Sequence, residues 1–107
     1  MVHLYHGPFG RAEDQLLINE YKPGQGIGAH VDSTTAFKDH IVSITLNAFT
    51  LMRFTHTEGT YEAKTLTLTR RSALVLSGPA RYDWKHGIKG SKEYGTRVSL
   101  TFRKVIL

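Results

Sequence analysis

The sequence predicts an all-β domain built as an antiparallel sandwich or jelly roll. Three observations predict it. About eight short runs rich in β-branched and aromatic residues recur along the chain. Turn signals separate them: Pro23-Gly24, Asn47-Ala48, Glu58-Gly59, Gly78-Pro79 and the stretch from Gly87 to Gly95. No segment carries a convincing 3.6-residue apolar period of an amphipathic helix.

Residues 1–14 hold Gly7-Pro8-Phe9-Gly10 and read as loop. The first strand is expected at 15–21, where Leu17-Ile18-Asn19-Glu20-Tyr21 alternates and sets Asn19 and Tyr21 on one face. An extended segment at 27–32 ends on His30-Val31-Asp32, and Ala36-Phe37-Lys38-Asp39 reads as a helical turn. Strands at 40–47 and 49–56 flank Asn47-Ala48. Further strands are expected at 61–68, 72–77 and 82–87, the last leading up to His86. The final strand, 96–105, alternates strictly: Arg97, Ser99, Thr101 and Arg103 on one face, Val98, Leu100 and Phe102 on the other. With no linker, repeat or low-complexity segment, residues 1–107 are expected to form one domain.

The chain has 107 residues and is 40% hydrophobic, enough for a core but not a generous one. No run approaches the ~18 apolar residues of a membrane helix, so no membrane association is expected. Met1-Val2-His3-Leu4-Tyr5 lacks the charged and apolar regions of a signal peptide. There is no cysteine, which excludes disulfides and thiolate metal sites and fits a cytoplasmic or other intracellular setting. The net charge of +5 favours phosphate-bearing partners, but the basic residues are scattered from Lys38 to Lys104 and form no basic tail.

In an extended strand His30 and Asp32 point to the same face. One distant histidine, His86, would complete a set of two imidazoles and one carboxylate, which leaves open positions on a metal and suits non-haem Fe(II) oxygenases. Taken alone, the H-x-D segment is better read as a pair that caps or braces a loop, with His86 an ordinary surface histidine. The last strand bears on the choice. Its polar face is either solvated or lines a barrel interior, where buried arginines need anionic partners. A dicarboxylate such as 2-oxoglutarate would offer two carboxylates to the guanidinium forks of Arg97 and Arg103.

At these residues the chain resembles the AlkB-like Fe(II)/2-oxoglutarate-dependent dioxygenases. The matching stretches are Ile18-Asn19-Glu20-Tyr21 with Pro23-Gly24-Gln25-Gly26-Ile27, His30-Val31-Asp32, and Arg71-Ser72 leading into Ala73-Leu74-Val75-Leu76. Gly78, Arg81-Tyr82, Trp84-Lys85-His86-Gly87-Ile88 and Arg97 through Arg103 follow in the same order. The likeness covers roughly residues 15–105 and is closest to the branch that hydroxylates a modified wobble uridine in tRNA.

The resemblance implies a double-stranded β-helix (jelly roll) core, Fe(II) and O2 as cofactors, and 2-oxoglutarate as cosubstrate. Residue by residue, it implies that His30, Asp32 and His86 hold the iron. It implies that Arg97 grips the distal carboxylate of 2-oxoglutarate, that Arg103 lies near the proximal one, and that Asn19, Tyr21 and Ser99 make further contacts. Thr34 stands where the repair enzymes carry an acid facing the alkylated base, a poor match for a cationic damaged base. Arg81 and Tyr82 are expected to border the substrate mouth. The family's N-terminal substrate lid is expected to be absent. The implied function is oxidative hydroxylation or demethylation of a nucleic acid, RNA (tRNA) favoured over DNA. The alternatives are oxidation of protein side chains, or a non-catalytic basic RNA-binding β-domain.

Overall fold

A computed structural model describes residues 2–6 and 14–106. Among the described residues nine strands and one helical turn follow in chain order: β1 Val2–His6, β2 Asp14–Tyr21, β3 Ile27–His30, β4 Ile41–Leu46, β5 Thr50–His56, β6 Lys64–Leu68, β7 Ser72–Leu76, α1 Pro79–Tyr82, β8 Trp84–Ile88 and β9 Arg97–Lys104. They form a five-stranded sheet ordered β1-β2-β9-β4-β7 and a four-stranded sheet ordered β3-β8-β5-β6. Every pairing is antiparallel. The jelly-roll expectation holds.

The core between the sheets is small. Met52, Leu68 and Ile88 form its buried cluster, with Phe54 and Leu74 packed against it. On β9 the pattern is inverted relative to an ordinary half-buried strand. Its polar face is the more deeply buried one, with Arg97 and Ser99 at 4% and 3% exposure, while Val98, Leu100 and Phe102 are half-buried on the reverse.

Three expectations need correction. Residues 2–6 are not loop: Val2–His6 pairs with β2 over its whole length, and the turn signal at 7–10 lies outside the described residues. Ala36-Asp39 is not a helical turn. The turn falls at 34–36, and Phe37 bridges to Val105 instead. The strand expected at 82–87 begins at Trp84, because Pro79 opens a single helical turn through Tyr82. Proline suits a first helical position, where its missing N–H leaves no bond unmade.

One contact fixes the pairing that matters most for the site. A Cβ at Gly26 would run into the carbonyl oxygen of Ile88 and the amide of Gly90, and one at Gly90 into the backbone of Gly24. The Gly24 amide donates to the Ser91 carbonyl (3.1 Å). These close backbone approaches lock the start of β3 to the end of β8, the pair that sets His30 opposite His86. Gly90→Ala is therefore expected to destabilise the fold by about 1–3 kcal/mol through overpacking, read as a lower midpoint in urea denaturation.

Candidate metal centre and its cavity

The register of two strand pairs assembles the polar face. On β2 and β9, Gln15 faces Arg103, Asn19 faces Ser99 and Tyr21 faces Arg97. On the other side of β9, Ser99 faces Thr45 and Thr101 faces Ser43. The polar positions of three neighbouring strands thus line one wall. The opposite wall comes from β3 and β8. There His30 and His86 are register partners, and the register shifts between Ile27 and His30. Asp32 lies two residues beyond β3. A cavity of about 160 Å³ between the walls is lined by Asn19, Tyr21, His30, Asp32, His86, Ser99, Thr101 and Arg103, with apolar Ile27, Met52 and Ile88. A roomier depression of about 580 Å³ on the far side of Arg103 has none of these imidazoles. Chemistry, not size, marks the smaller one.

Three ligand-type atoms converge in it. One atom each from His30, Asp32 and His86 lie within 4.8 Å of one another. His30 Nε2 is 3.1 Å and His86 Nε2 3.6 Å from Asp32 Oδ1, and the two imidazole centroids are 4.4 Å apart. His30 Nδ1 is 2.9 Å from the Gly28 carbonyl. A carbonyl only accepts, so Nδ1 carries a proton and Nε2 is the atom turned toward the cluster.

The electrostatics agree with a cation-binding set. The hydrogen bond to Asp32 raises the His30 pKa, with burial opposing. Burial works to raise the Asp32 pKa, but the bond from His30 and the nearby His86 and Arg103 outweigh it, so the carboxylate stays ionised below its usual range. Burial, and then the charge of His30, lowers the His86 pKa, so that imidazole gives up its proton more readily than a free one. A metal needs ligands with free electron pairs, so the set fits a divalent ion that displaces the proton shared by His30 and Asp32.

The two arginines occupy different settings. Arg103 donates from Nε (3.0 Å) and Nη2 (2.6 Å) to the Gln15 amide oxygen, stacks over the Phe37 ring at 4.0 Å, and holds Nη1 3.8 Å from Asp32 Oδ2. Arg97 is buried with less to satisfy it. One Nη2 bond reaches Thr45 Oγ1 (3.0 Å), the guanidinium lies 5.4 Å from the Tyr21 ring centroid, and Nε has no partner. Among the described residues no carboxylate pairs with it. A buried guanidinium without an anion is costly, so the site fits an incoming carboxylate. Arg97 sits just beyond the cavity, in an adjoining recess that shares Tyr21 and Ile88 with it.

Of the expected substrate contacts, the structure relocates one. Arg81 does not border a mouth. It is 2% exposed and donates to the carbonyls of Asp32 (2.7 Å), Ser33 (2.9 Å) and Phe37 (3.4 Å). It is a brace that fixes the Asp32 loop from behind. Tyr82 is 39% exposed beneath the Arg81 guanidinium, and Thr34 is exposed in the turn after Asp32. Arg81→Ala takes the guanidinium from three backbone carbonyls in part-buried bonds, so a loss of about 1–3 kcal/mol is expected in chemical denaturation. Metal affinity should fall roughly 10–100-fold, as when a supporting partner of a ligand is removed.

Gln15 and Thr45 went unnoticed in the sequence. Gln15 shares the period-two face of Asn19 and Tyr21, so extending that face by two strand positions would have found it. Thr45 carries no local signal, since only the β4–β9 register brings it to Arg97.

The sequence profile of the 2OG-Fe(II) oxygenase superfamily matches residues 5–103. The chain is 39% identical over 127 residues to the tRNA (carboxymethyluridine(34)-5-O)-methyltransferase ALKBH8 of Macaca fascicularis, covering 95% of this chain and 19% of that protein. It is 41% identical over 104 residues to the Mus musculus counterpart, covering 97% and 15%. The chain therefore spans less than a fifth of these relatives. Among solved structures, OsALKBH1 superposes with a TM-score of 0.68 at 21% identity, over 84% of this chain and 47% of that one, which shows a shared fold. Among the described residues no helix is long and apolar enough to cross a membrane.

Proposed function

The chain belongs to the 2OG-Fe(II) oxygenase superfamily, and from that premise we propose that it oxidises a nucleic acid, RNA in preference to DNA, with residues 1–107 acting as one catalytic core. The superfamily works with Fe(II), 2-oxoglutarate and O2. The observation that carries the reading is a His-Asp-His donor set in one narrow cavity with a buried, anion-free arginine in the recess that adjoins it. His30, Asp32 and His86 hold the metal. Arg97 receives one carboxylate of 2-oxoglutarate, while Asn19, Tyr21 and Ser99 shape and polarise the space between. Arg103 neutralises the carboxylate end near Asp32 and keeps that ligand in place.

When bound, iron and 2-oxoglutarate together supply the oxidising power for attack on a C–H bond. The protein's own share is orientation and exclusion. Ile27, Met52 and Ile88 keep the cavity wall apolar, and Arg81 holds the Asp32 loop still. Thr34 is neutral, so the turn after Asp32 offers a cationic alkylated base no charge. The preference for RNA rests on the relatives, whose names refer their activity to tRNA. The methyl transfer in those names belongs to much longer proteins, of which this chain spans less than a fifth. An RNA substrate and a chain without cysteine support an intracellular setting.

Incubation with Fe(II), 2-oxoglutarate, air and bulk tRNA, followed by mass spectrometry of the nucleosides, tests this reading. One nucleoside should gain an oxygen atom, and methylated cationic bases in control oligonucleotides should turn over weakly. Unchanged tRNA nucleosides beside rapid demethylation of the controls would reverse the assignment.

A further inference from the structure

The four-stranded sheet has an outer face that the site does not use. On β5 the buried positions Thr50 and Met52 alternate with exposed Leu51 and Arg53. On β8 the half-buried His86, facing the cavity, alternates with exposed Lys85, and exposed Lys89 continues that outer row. Arg53 is the register partner of Gly87, so Lys85 and Lys89 flank it diagonally on the next strand, at about 7–8 Å between Cα atoms for such neighbours. Gly87 has no side chain, which leaves the three cations side by side.

No acidic residue occurs anywhere in the four strands of this sheet: IGAH, TLMRFTH, KTLTL and WKHGI. Of the acids nearest in sequence, Asp32 faces the cavity, and Glu58, Glu62, Asp83 and Glu93 lie in the connections at the sheet's ends. Among the described residues no carboxylate pairs with Arg53, Lys85 or Lys89. Beside them runs a groove of about 340 Å³ lined by Arg53, Lys89, Thr65, Ser91, Tyr94 and Leu51. Two cations, two hydroxyls, a phenol and no carboxylate make an anion-binding surface. Lys85 and Lys89 stand four residues apart along the strand direction, about 13 Å at ~3.3 Å per residue, a span that suits a chain of phosphates better than a single ion.

We propose that the outer face of the β3-β8-β5-β6 sheet, through Arg53, Lys85 and Lys89, holds the phosphodiester backbone of the nucleic-acid substrate. This rests on the nucleic-acid reading above and adds where the strand is held. Lys85 is the next residue after Trp84 and the one before His86, so a backbone on this face runs directly behind the donor set. Contacts of this kind position a strand without reading its sequence.

The test compares three forms of the full chain by fluorescence anisotropy with a labelled single-stranded RNA at several salt concentrations. They are the parent, the triple variant Arg53→Gln/Lys85→Gln/Lys89→Gln, and a control triple Lys22→Gln/Lys38→Gln/Arg70→Gln that removes the same net charge elsewhere. Circular dichroism confirms folding of each. The sheet-face triple should lose at least about tenfold in low-salt affinity. Its slope of log affinity against log salt should shrink by about 2, since each single-strand phosphate that is no longer neutralised removes ~0.7. The control should lose much less. Equal losses in both triples, or none in the first, would overturn the proposal while leaving the nucleic-acid reading intact. Failure of the parent to bind RNA at any salt would overturn both. Binding of phosphatidylserine vesicles that RNA does not displace would assign the face to a lipid surface instead.

Discussion

Asp32→Ala is expected to abolish stoichiometric iron binding. Asp32 is the only anionic member of the donor set, and its Oδ1 is the atom that both imidazoles approach. Removing it takes away one ligand and most of the charge that draws a cation. The loss should exceed the roughly 10–100-fold cost of losing a mere supporting partner. Two readouts separate this from unfolding. Iron content after loading should fall from one per chain to near zero. The thermal stabilisation that Fe(II) gives the parent, about 2.7 kcal/mol at a hundredfold excess over Kd, should vanish. The metal-free variant should still melt cooperatively, because Arg103 keeps its Gln15 and Phe37 contacts. Undiminished iron content would remove Asp32 from the metal site.

Arg97→Ala should cost the next largest effect, in 2-oxoglutarate affinity. A charge-assisted arginine–carboxylate contact in a buried setting is worth about 1.5–3 kcal/mol, or roughly 10–100-fold. Iron binding should persist, since Arg97 sits beyond the cavity beside Thr45 and Tyr21 rather than among the donor set. Arg97→Lys should recover part of the loss, as it keeps the charge without the planar fork. Calorimetric titration of 2-oxoglutarate into the metal-loaded protein decides it. Parent-like affinity in Arg97→Ala would mean that the orphaned Nε answers to something other than the cosubstrate.

The features legible in the sequence are those with a short period. The alternation of β9 announced one polar and one apolar face, and H-x-D announced an imidazole and a carboxylate brought together, although the strand expected to run through Asp32 stops at His30. What period alone left open was which face of β9 points inward. The inversion, with Arg97 and Ser99 buried and Val98, Leu100 and Phe102 half-buried, is a property of the closed two-sheet architecture. Arg81 was misplaced for a related reason. Arginine before a run of aromatic residues reads as exposed, because buried arginines are uncommon, and nothing local shows that three backbone carbonyls wait for it 44 to 49 positions upstream. Thr45 and the Gly24–Gly90 approach are likewise products of register. Val2–His6 was hidden by the turn residues that follow it, since an edge strand of five residues needs its partner to declare itself.

The proposed activity is the coupling of Fe(II) and 2-oxoglutarate to oxidation of RNA. Succinate release by the purified chain tests it most directly, measured with and without Fe(II), and with and without bulk tRNA. The release is expected to require Fe(II), to rise when tRNA is added, and to be lost in Asp32→Ala. Succinate release that is unaffected by tRNA but stimulated by a peptide or protein would contradict the substrate. No iron-dependent release under any of these conditions would contradict the catalytic reading itself.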